Sequence, residues 1–358
     1  MRLKEPFVIA SQRIEICEHV ICYIDADEGH GGVGSVATIP AFMWETASTI
    51  RAAIAFLAPL LVGKDPCNVE NVCALMDAAF PGNHSAKAAI DLACHDLLGV
   101  SLGRSVGELL GGCSRGRIPC TYILGLKDTA ETLAEGIDKF RSGYSTLKVK
   151  IGRDERGDFE KLRLLRSELG PDAVIRVDAN CAYTYDTAIR VLSRMEKLDL
   201  EMIEQPCRPA DIKGMARLCR ALKTPILADE SVMTPEDALR VVCEGAADII
   251  NIKVGKVGGI VKAVRIAAIA DAASVPIVMS GNLELGHGIA ASAHVAASLF
   301  GAVYATDIFV GAHKHDSDLI RQDWGEQGMT IRVPDGPGLG VSLREEFAVP
   351  AEWHADGI

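Results

Sequence analysis

Charged residues end five consecutive β-rich segments of the sequence at a nearly constant interval. Lys150, Asp178, Glu204, Asp229 and Lys253 follow one another at spacings of 28, 26, 25 and 24 residues. One strand, one helix and their two loops fill such an interval, so each residue takes the same place in successive βα units. The carboxyl ends of parallel strands meet at one edge of a sheet, and we therefore expect these side chains to converge.

The three carboxylates of this set, Asp178, Glu204 and Asp229, predict a metal centre. Three buried negative charges repel one another and are costly to desolvate unless a cation neutralises them. Their donors are all oxygen, which selects a hard ion over zinc, whose ligands usually include histidine or cysteine. The sequence therefore predicts Mg2+, or Mn2+, as cofactor. The nine histidines show no metal-ligand spacing, which predicts structural or surface roles for them.

Lysines on two sides of the carboxylates are candidates for acid and base catalysis. In the segment TLKVKIG, Lys148 and Lys150 lie on one face of a strand because side chains alternate. Lys150, nearer the strand end, is the predicted base, and Lys148 is predicted to lower its pKa and hold the substrate carboxylate. A partly desolvated lysine near a cation has a lowered pKa and can abstract the α-proton of a carboxylate substrate through an enediolate. Lys253, four strands further on, can protonate the opposite face, which predicts a racemase or epimerase.

Alternating strands and helices must position these residues. From about residue 118 the alternation occurs eight times, which favours a closed (β/α)8 barrel over an open sheet. The predicted strands lie in the segments CTYILGL, STLKVKIG, AVIRVDAN, EMIEQP, PILADE, DIINIKVG, VPIVMSG and AVYATDIF. Before them the order is strands and then helices, which predicts an α+β capping domain. The predicted domains are residues 1–117 for the cap, 118–325 for the barrel and 326–358 for a C-terminal segment that returns to the cap.

The composition excludes several classes of function. With 49% hydrophobic and 24% charged residues, the chain is typical of a folded, soluble protein. Its net charge of -11 repels phosphate backbones and anionic lipid, so we expect neither nucleic acid nor a membrane as partner. The eleven cysteines include no C-x-x-C pair, and the N-terminal region has no apolar run of signal-peptide length. Both observations predict a cytoplasmic protein without a disulfide framework.

Taken in order, these motifs resemble those of the enolase superfamily, in its muconate-lactonizing-enzyme-like subgroup. The matching segments are K-x-K at 148–150, VDAN, IEQP, ADES and NIKVGKVGG, within a resemblance that runs from PFVIAS to GPGLGV. The resemblance implies that the carboxylates of VDAN, IEQP and ADES bind Mg2+ and that Lys150 and Lys253 are the acid and base. Mandelate-racemase-like relatives have an aspartate and a histidine on strands six and seven, where this chain has Lys253 and Asn282. The lysine-pair subgroup is therefore the better match.

Substrate contacts are expected from strands seven and eight and from the cap loops within residues 9–15 and 29–40. The candidates are Asn282, Glu284, Asp307, Phe309, Arg13 and Ser11. Dipeptide epimerases of this subgroup have an Asp-x-Asp on strand eight that holds the substrate ammonium, but here the segment reads Asp307-Ile308-Phe309. This departure disfavours a dipeptide and leaves an N-substituted amino acid or a proline derivative as the predicted carboxylate substrate.

The sequence leaves alternatives open. The same lysine pair suits a muconate-type cycloisomerase, or a β-elimination lyase or dehydratase, in which one lysine takes the proton and the other stabilises charge. A relative that binds a metal and a small acid without catalysis is the alternative from another class. The resemblance also implies a homo-oligomer, either a dimer or an octamer.

Overall fold

The first part of the chain forms two antiparallel hairpins followed by helices. The structure, a computed structural model, describes residues 1–26, 29–324 and 329–348. The elements of this cap are β1 (Arg2–Val8), β2 (Arg13–Ile16), β3 (Glu18–Asp25), β4 (Gly31–Thr38), α1 (Pro40–Met43), α2 (Ala47–Leu61), α3 (Val69–Ala79), α4 (His84–Leu102) and α5 (Val106–Leu109). β1 pairs with β2, and β3 pairs with β4 over its whole length. The predicted order of strands and then helices is confirmed.

Glycines in β4 allow the second hairpin to lie directly on α4. A Cβ atom on Gly34 would lie 2.0 Å from the carbonyl oxygen of Ala89, and one on Gly32 would lie 2.1 Å from that of Ala93. No side chain fits between these two backbones, so the GGVG segment is required by their close approach. On the neighbouring residue, the Ser35 hydroxyl donates to the carbonyl of Leu285 in the barrel at 3.2 Å.

Parallel strands alternate with helices in the second part of the chain. Its elements are β5 (Arg117–Pro119), β6 (Tyr122–Leu124), α6 (Thr129–Arg141), β7 (Thr146–Lys150), α7 (Glu155–Leu169), β8 (Val174–Asp178), α8 (Tyr185–Met195), β9 (Leu200–Glu204), α9 (Ile212–Ala221), β10 (Ile226–Ala228), α10 (Pro235–Glu244), β11 (Ile249–Ile252), α11 (Val254–Val257), α12 (Ile260–Ala272), β12 (Ile277–Met279), α13 (His287–Ser298) and α14 (Val310–Lys314). The strands β6 to β12 form one sheet in sequence order. None of the described helices combines the length and the apolar character that crossing a bilayer requires.

Two bridged residues take the eighth position of the barrel. Thr306 pairs in parallel with Cys120, next to β6, and Asp307 pairs in parallel with Ser280, next to β12. The prediction of an extended strand over AVYATDIF is therefore wrong, because the chain turns at once: the N–H of Val310 donates to the carbonyl of Asp307 at 3.2 Å. The bridges nevertheless close the sheet, and the predicted (β/α)8 architecture with an N-terminal cap is confirmed.

Alternation along β7 explains why a strand in the core carries two lysines. Leu147 and Val149 are fully buried in the main hydrophobic cluster between the strands and the surrounding helices. Lys148 and Lys150 point to the opposite face, into the barrel, and are only 3% and 7% exposed. The strand thus presents apolar side chains to the helices and both ammonium groups to the centre of the barrel.

The C-terminal segment returns to the cap. β13 (Thr330–Arg332) pairs antiparallel with β5, and the N–H of Leu339 then donates to Asp96 Oδ1 of α4 at 2.7 Å. The N–H of Val106 also donates to the carbonyl of Gly338 in this segment at 2.8 Å. The predicted boundary between residues 325 and 326 lies outside the described residues, and the division into 1–117, 118–325 and 326–358 stays a prediction.

Candidate active site

The structure brings the five residues of the regular spacing together at the carboxyl ends of neighbouring strands. Lys150 pairs in register with Asp178, and Asp178 pairs with Glu204, across β7, β8 and β9. Asp229 follows β10 directly, and Lys253 follows β11. The active sites of (β/α)8 barrels lie at this end of the strands. We call the three acids Asp178, Glu204 and Asp229 the carboxylate triad.

On one side of the carboxylate triad lie the two lysines of β7. Lys150 Nζ is 2.6 Å from Asp178 Oδ2 and donates to Asn180 Oδ1 at 2.8 Å. Lys148 Nζ lies 2.7 Å from Glu204 Oε2 and 3.3 Å from Asp178 Oδ2. It also lies 2.6 Å from Asp307 Oδ2. Lys148 therefore binds three carboxylates at once, whereas Lys150 lies at the edge of the group.

On the other side, two lysines bind the same aspartate. Lys253 Nζ is 2.6 Å from Asp229 Oδ2, and Lys256 Nζ is 2.8 Å from Asp229 Oδ1. Lys256 also donates to the carbonyl oxygens of Asp229 and Asn251 at 2.6 and 3.3 Å. Although lysine is usually solvated, Lys256 is 0% exposed. It fixes the orientation of Asp229 from behind, leaving Lys253 to face the cavity.

The carboxylate triad has the donor set of a magnesium site. Its members are 0–3% exposed, and all their side-chain donors are oxygen. Burial and the charge of Asp178 raise the pKa of Glu204 above its ordinary value, so these acids resist simultaneous ionisation when no cation is shared. Burial acts in the same direction on Asp229, but Lys253 and Lys256 outweigh it and hold its pKa below the ordinary value. A divalent ion therefore fits the charge and the chemistry of the triad.

Surrounding carboxylates raise the pKa values of two lysines of the site. Burial lowers the pKa of Lys253, but the charges of Asp229, Glu204 and Glu230 outweigh it, and the net pKa lies above its ordinary value. The pKa of Lys148 is raised for the same reason. Each of these ammonium groups is surrounded by carboxylates, and the lowering expected for a lysine beside a cation stays a prediction. A divalent cation among the same carboxylates would oppose this rise, since a bound ion is the largest local charge.

A small cavity of about 30 Å³ joins the two groups of lysines. Its polar lining includes the ammonium-bearing side chains of Lys148, Lys150 and Lys253. Its apolar lining comes from both the cap and the barrel: Phe7, Ile9, Ile39, Ile123, Leu283 and Val310. Because a buried water needs at least about 10–15 Å³, the cavity has room for about one or two water molecules. The cap thus covers the lysines directly.

Three of the six predicted substrate contacts lie around this cavity. Asn282 and Asp307 line it, and Glu284 accepts from the backbone N–H of Asn282. The side-chain oxygen of Asn282 is buried and has no hydrogen-bond partner, so it is available as an acceptor. Asp307 differs in that Lys148 already binds its Oδ2.

The structure does not bring the other three candidates to the cavity. Phe309 packs edge-on against His313, with ring centroids 4.8 Å apart, and turns away from the lysines. Ser11 is exposed. The side chain of Arg13 is 60% exposed and pairs with Glu15 at 2.9 Å. Solvation and this surface pair therefore account for Arg13.

Sequence reasoning missed three polar residues whose hydrogen bonds hold the site together: Asn180, Glu230 and Asn251. Asn180 accepts from Lys150 and donates to Glu230 Oε1 at 3.1 Å. Asn251 Nδ2 donates to Glu204 Oε1 at 3.1 Å. The sequence held a signal for two of them. Asn180 lies two residues after Asp178, and Asn251 lies two residues before Lys253, a spacing that places side chains on one face of a strand.

Comparison with known proteins identifies the family to which this arrangement belongs. Residues 1–111 match the model of the mandelate racemase / muconate lactonizing enzyme N-terminal domain. Residues 130–347 match the enolase C-terminal domain-like model. Together the two matches cover the cap and most of the barrel.

Individual relatives carry different isomerase names. A chloromuconate cycloisomerase of Cupriavidus necator is 34% identical over 95% of this chain and 93% of its own length. The crystal structure of an N-succinyl Arg/Lys racemase from Bacillus cereus superposes with a TM-score of 0.93 at 29% identity, covering 96% of this chain and 93% of that one. A dipeptide epimerase from Cytophaga hutchinsonii, complexed with Mg and the dipeptide D-Ala-L-Val, gives a TM-score of 0.92 at 29% identity, with 97% and 94% covered. The chain therefore belongs to the mandelate racemase / muconate lactonizing enzyme family, within the muconate-lactonizing-enzyme-like part of the enolase superfamily.

Proposed function

We propose that the protein is a Mg2+-dependent racemase or epimerase that moves the α-proton of an N-substituted amino acid or a proline derivative. One observation carries the proposal: Lys150 and Lys253 come from different strands and line the same small cavity. A 1,1-proton transfer needs a proton acceptor on one face of the substrate carbon and a donor on the other. Family membership supports the same chemistry, since racemases and epimerases are among the relatives.

The carboxylate triad is the proposed Mg2+ site, and Mn2+ would suit the same oxygen donors. When bound, the ion supplies positive charge that stabilises the negative charge developing on the substrate carboxylate as the α-proton leaves. The protein's contribution is to orient the ligands. Asn251 holds Glu204, and Lys256 holds both the carboxylate and the carbonyl of Asp229.

The two lysines would exchange roles between enantiomers. For one enantiomer, neutral Lys150 accepts the α-proton and protonated Lys253 donates a proton to the other face; for the other enantiomer the roles are reversed. Asn180 holds Lys150 by accepting its hydrogen bond, and Asp229 holds Lys253. Lys150 and Lys253 are only 7% and 5% exposed, which limits their contact with bulk water and favours direct proton transfer between the lysines and the substrate.

The surroundings of Asp307 favour a substrate without a free ammonium group. Its Oδ2 is 2.6 Å from Lys148, and the residue is 2% exposed. A carboxylate neutralised by a buried lysine has little charge left with which to bind an ammonium ion. The apolar side chains of Phe7, Ile9 and Ile39 face the same space and suit an acyl or alkyl substituent on nitrogen.

A cycloisomerase is the second candidate, and the same observation about Asp307 supports it. A muconate-type substrate carries carboxylates and no nitrogen, and it would meet lysines on both sides of the cavity. A β-elimination lyase or dehydratase would use the site in the same way, with one lysine as base and the other stabilising charge.

Proton NMR in D2O distinguishes these reactions. Wild-type protein with Mg2+ is incubated with N-acyl amino acids, N-alkylated prolines, dipeptides and cis,cis-muconate, each supplied as one stereoisomer where relevant. Loss of the α-proton signal together with appearance of the opposite stereoisomer supports the racemase or epimerase. New carbon skeletons from muconate support the cycloisomerase, and new alkene signals support the lyase. Absence of any exchange contradicts catalysis on these substrates and leaves a protein that only binds metal and acid.

Two further expectations enter the proposal. We propose a homo-oligomer, a dimer or an octamer, because apolar side chains at the end of α2 are solvent-exposed: Phe56 by 57%, Leu60 by 44% and Val62 by 72%. We also propose a cytoplasmic location, supported by the eleven cysteines, all of which are free. Light scattering of the purified protein tests the first proposal.

A further inference from the structure

A second cluster of ligating side chains lies where the cap meets the barrel. Cys17 immediately precedes β3, His19 lies at the beginning of that strand, and His315 follows α14 of the barrel. The Cys17 sulfur and one nitrogen of each histidine all lie within 4.8 Å of one another. We call these residues the Cys/His cluster. Nothing in the reaction proposed above uses them.

Hydrogen bonds fix which nitrogen of each histidine is free. His19 Nε2 lies 3.2 Å from the carbonyl of Leu283, and His315 Nδ1 lies 2.8 Å from that of Gly311. A carbonyl oxygen only accepts, so these two nitrogens carry the hydrogen. The other nitrogens, His19 Nδ1 and His315 Nε2, are therefore lone-pair donors. Both are buried and have no hydrogen-bond partner.

This is the arrangement found around protein-bound metal ions. A ligating histidine donates its second ring N–H to a backbone carbonyl or carboxylate, which fixes its tautomer and its orientation. His315 is 2% exposed, and an unpartnered acceptor at such a place is costly in the absence of a ligand.

We propose that the Cys/His cluster binds a borderline-soft divalent cation, Zn2+ in the first instance. One sulfur and two imidazole nitrogens are the donors that zinc prefers, and they exclude the hard ion proposed for the carboxylate triad. Zinc ligands lie about 2.0–2.3 Å from the ion, so the side chains must draw closer together than 4.8 Å on binding. Water completes the coordination. The Cys17 thiol loses its proton to solvent as the sulfur–metal bond forms.

Binding at this place would fasten the cap to the barrel. Two ligands belong to the cap and the third to the barrel. The partner of His19, Leu283, lines the lysine cavity. A bound ion would therefore stabilise the position of the cap over the lysines. The inference does not depend on which carboxylate substrate the lysines act upon.

Cobalt spectroscopy tests the proposal directly, because a thiolate ligand gives Co2+ a charge-transfer absorption in the near ultraviolet that carboxylates do not give. Reduced wild-type protein is treated with chelator, transferred to buffer with excess Mg2+ and titrated with Co2+. We expect one equivalent to produce the thiolate band, with release of one proton, and Zn2+ to abolish the band. The variants Cys17→Ser and His315→Gln should lose it, whereas Cys243→Ser, which removes an exposed cysteine, should keep it.

Several results would overturn the proposal. A wild type that binds Co2+ without a thiolate band places the ion elsewhere, and a band that persists in Cys17→Ser assigns it to another cysteine. Circular dichroism in chelator shows whether the variants fold. If Cys17→Ser does not fold, thermal denaturation of wild type and His315→Gln decides: Zn2+ should raise the melting temperature of the wild type alone.

Discussion

Replacing each lysine of the pair separately should slow racemisation but leave α-proton exchange from one enantiomer. The substitutions are Lys150→Met and Lys253→Met, which remove the amine and keep most of the side-chain volume. Both variants should fold, because each partner carboxylate keeps a second lysine. Asp178 retains Lys148 at 3.3 Å, and Asp229 retains Lys256 at 2.8 Å. Their loss of stability should therefore stay below the about 3–5 kcal/mol that follows when a buried charge is left unpaired.

The effect on catalysis should be much larger than the effect on folding. General acid–base groups contribute about 10²–10⁴-fold to rate, so racemisation should fall by roughly that factor in either variant. Proton exchange should be selective: the variant without Lys253 should still exchange the α-proton of the enantiomer that faces Lys150, within about 10-fold of the wild-type rate. The variant without Lys150 should show the reverse preference.

The assay follows each pure enantiomer of an active substrate by proton NMR in D2O, with polarimetry for inversion. Lys197→Met, which removes an exposed lysine, is the matched control and should behave like the wild type. Equal loss of exchange from both enantiomers in both variants would refute a two-base mechanism. Undiminished racemisation in either variant would refute the assignment of that lysine.

Three further predictions concern the cap, its junction with the tail and the carboxylate triad. Gly34→Ala should destabilise the cap and lower the melting temperature, since its Cβ would lie 2.0 Å from the Ala89 carbonyl, whereas Gly116→Ala, with no heavy atom within 4 Å, should not. Burial raises the pKa of Asp96 to about 6, from 3.8, so its contribution to stability is full below about pH 4 and is lost as pH rises to about 6. The free energy of unfolding in urea should therefore fall over this range by about 3 kcal/mol more in wild type than in Asp96→Asn. Glu204→Gln should raise the Mg2+ concentration needed for half-maximal activity by roughly 10-fold or more, measured by titration of the metal-free protein.

Each of these predictions can fail. Equal melting temperatures for the two glycine variants would contradict direct contact between β4 and α4. Parallel pH profiles for wild type and Asp96→Asn would show that this carboxyl group does not titrate differently on folding. Unchanged Mg2+ dependence in Glu204→Gln would remove Glu204 from the proposed metal site.

Local sequence patterns were sufficient to predict the structure where βα units repeat. The interval from Lys150 to Lys253 follows from βα units of nearly equal length, so it predicted both the barrel and the convergence of the five side chains. Strand eight was predicted wrongly because the β-rich composition of AVYATDIF does not show that the chain turns after Asp307. A strand needs neighbours over its length, and only two residues there have them.

Tertiary contacts decide what the sequence pattern leaves undetermined. The sequence pattern gave no role to Lys256, whose neighbours are the oxygens of Asp229 from another βα unit. Phe309 lies two residues after Asp307 and would share its face in a continuous strand, but the chain turns after Asp307 and the ring packs against His313 of α14. The Cys/His cluster joins residues almost the whole chain apart, and no spacing rule connects Cys17 with His315. The direction of the lysine pKa shifts likewise depends on how many carboxylates surround each ammonium group.

The small size of the lysine cavity sets the order of events during turnover. A space of about 30 Å³ is far smaller than any amino acid derivative, so Phe7, Ile9 and Ile39 must move aside before a substrate enters and again before the product leaves. Proton transfer therefore occurs in one conformation, and substrate entry and product release occur in another. If cap opening is the slower event, turnover will respond to solvent viscosity, and deuterium at the α-carbon will slow the steady state little. The step that limits the enzyme would then lie in the hairpins of the cap and not at the lysines.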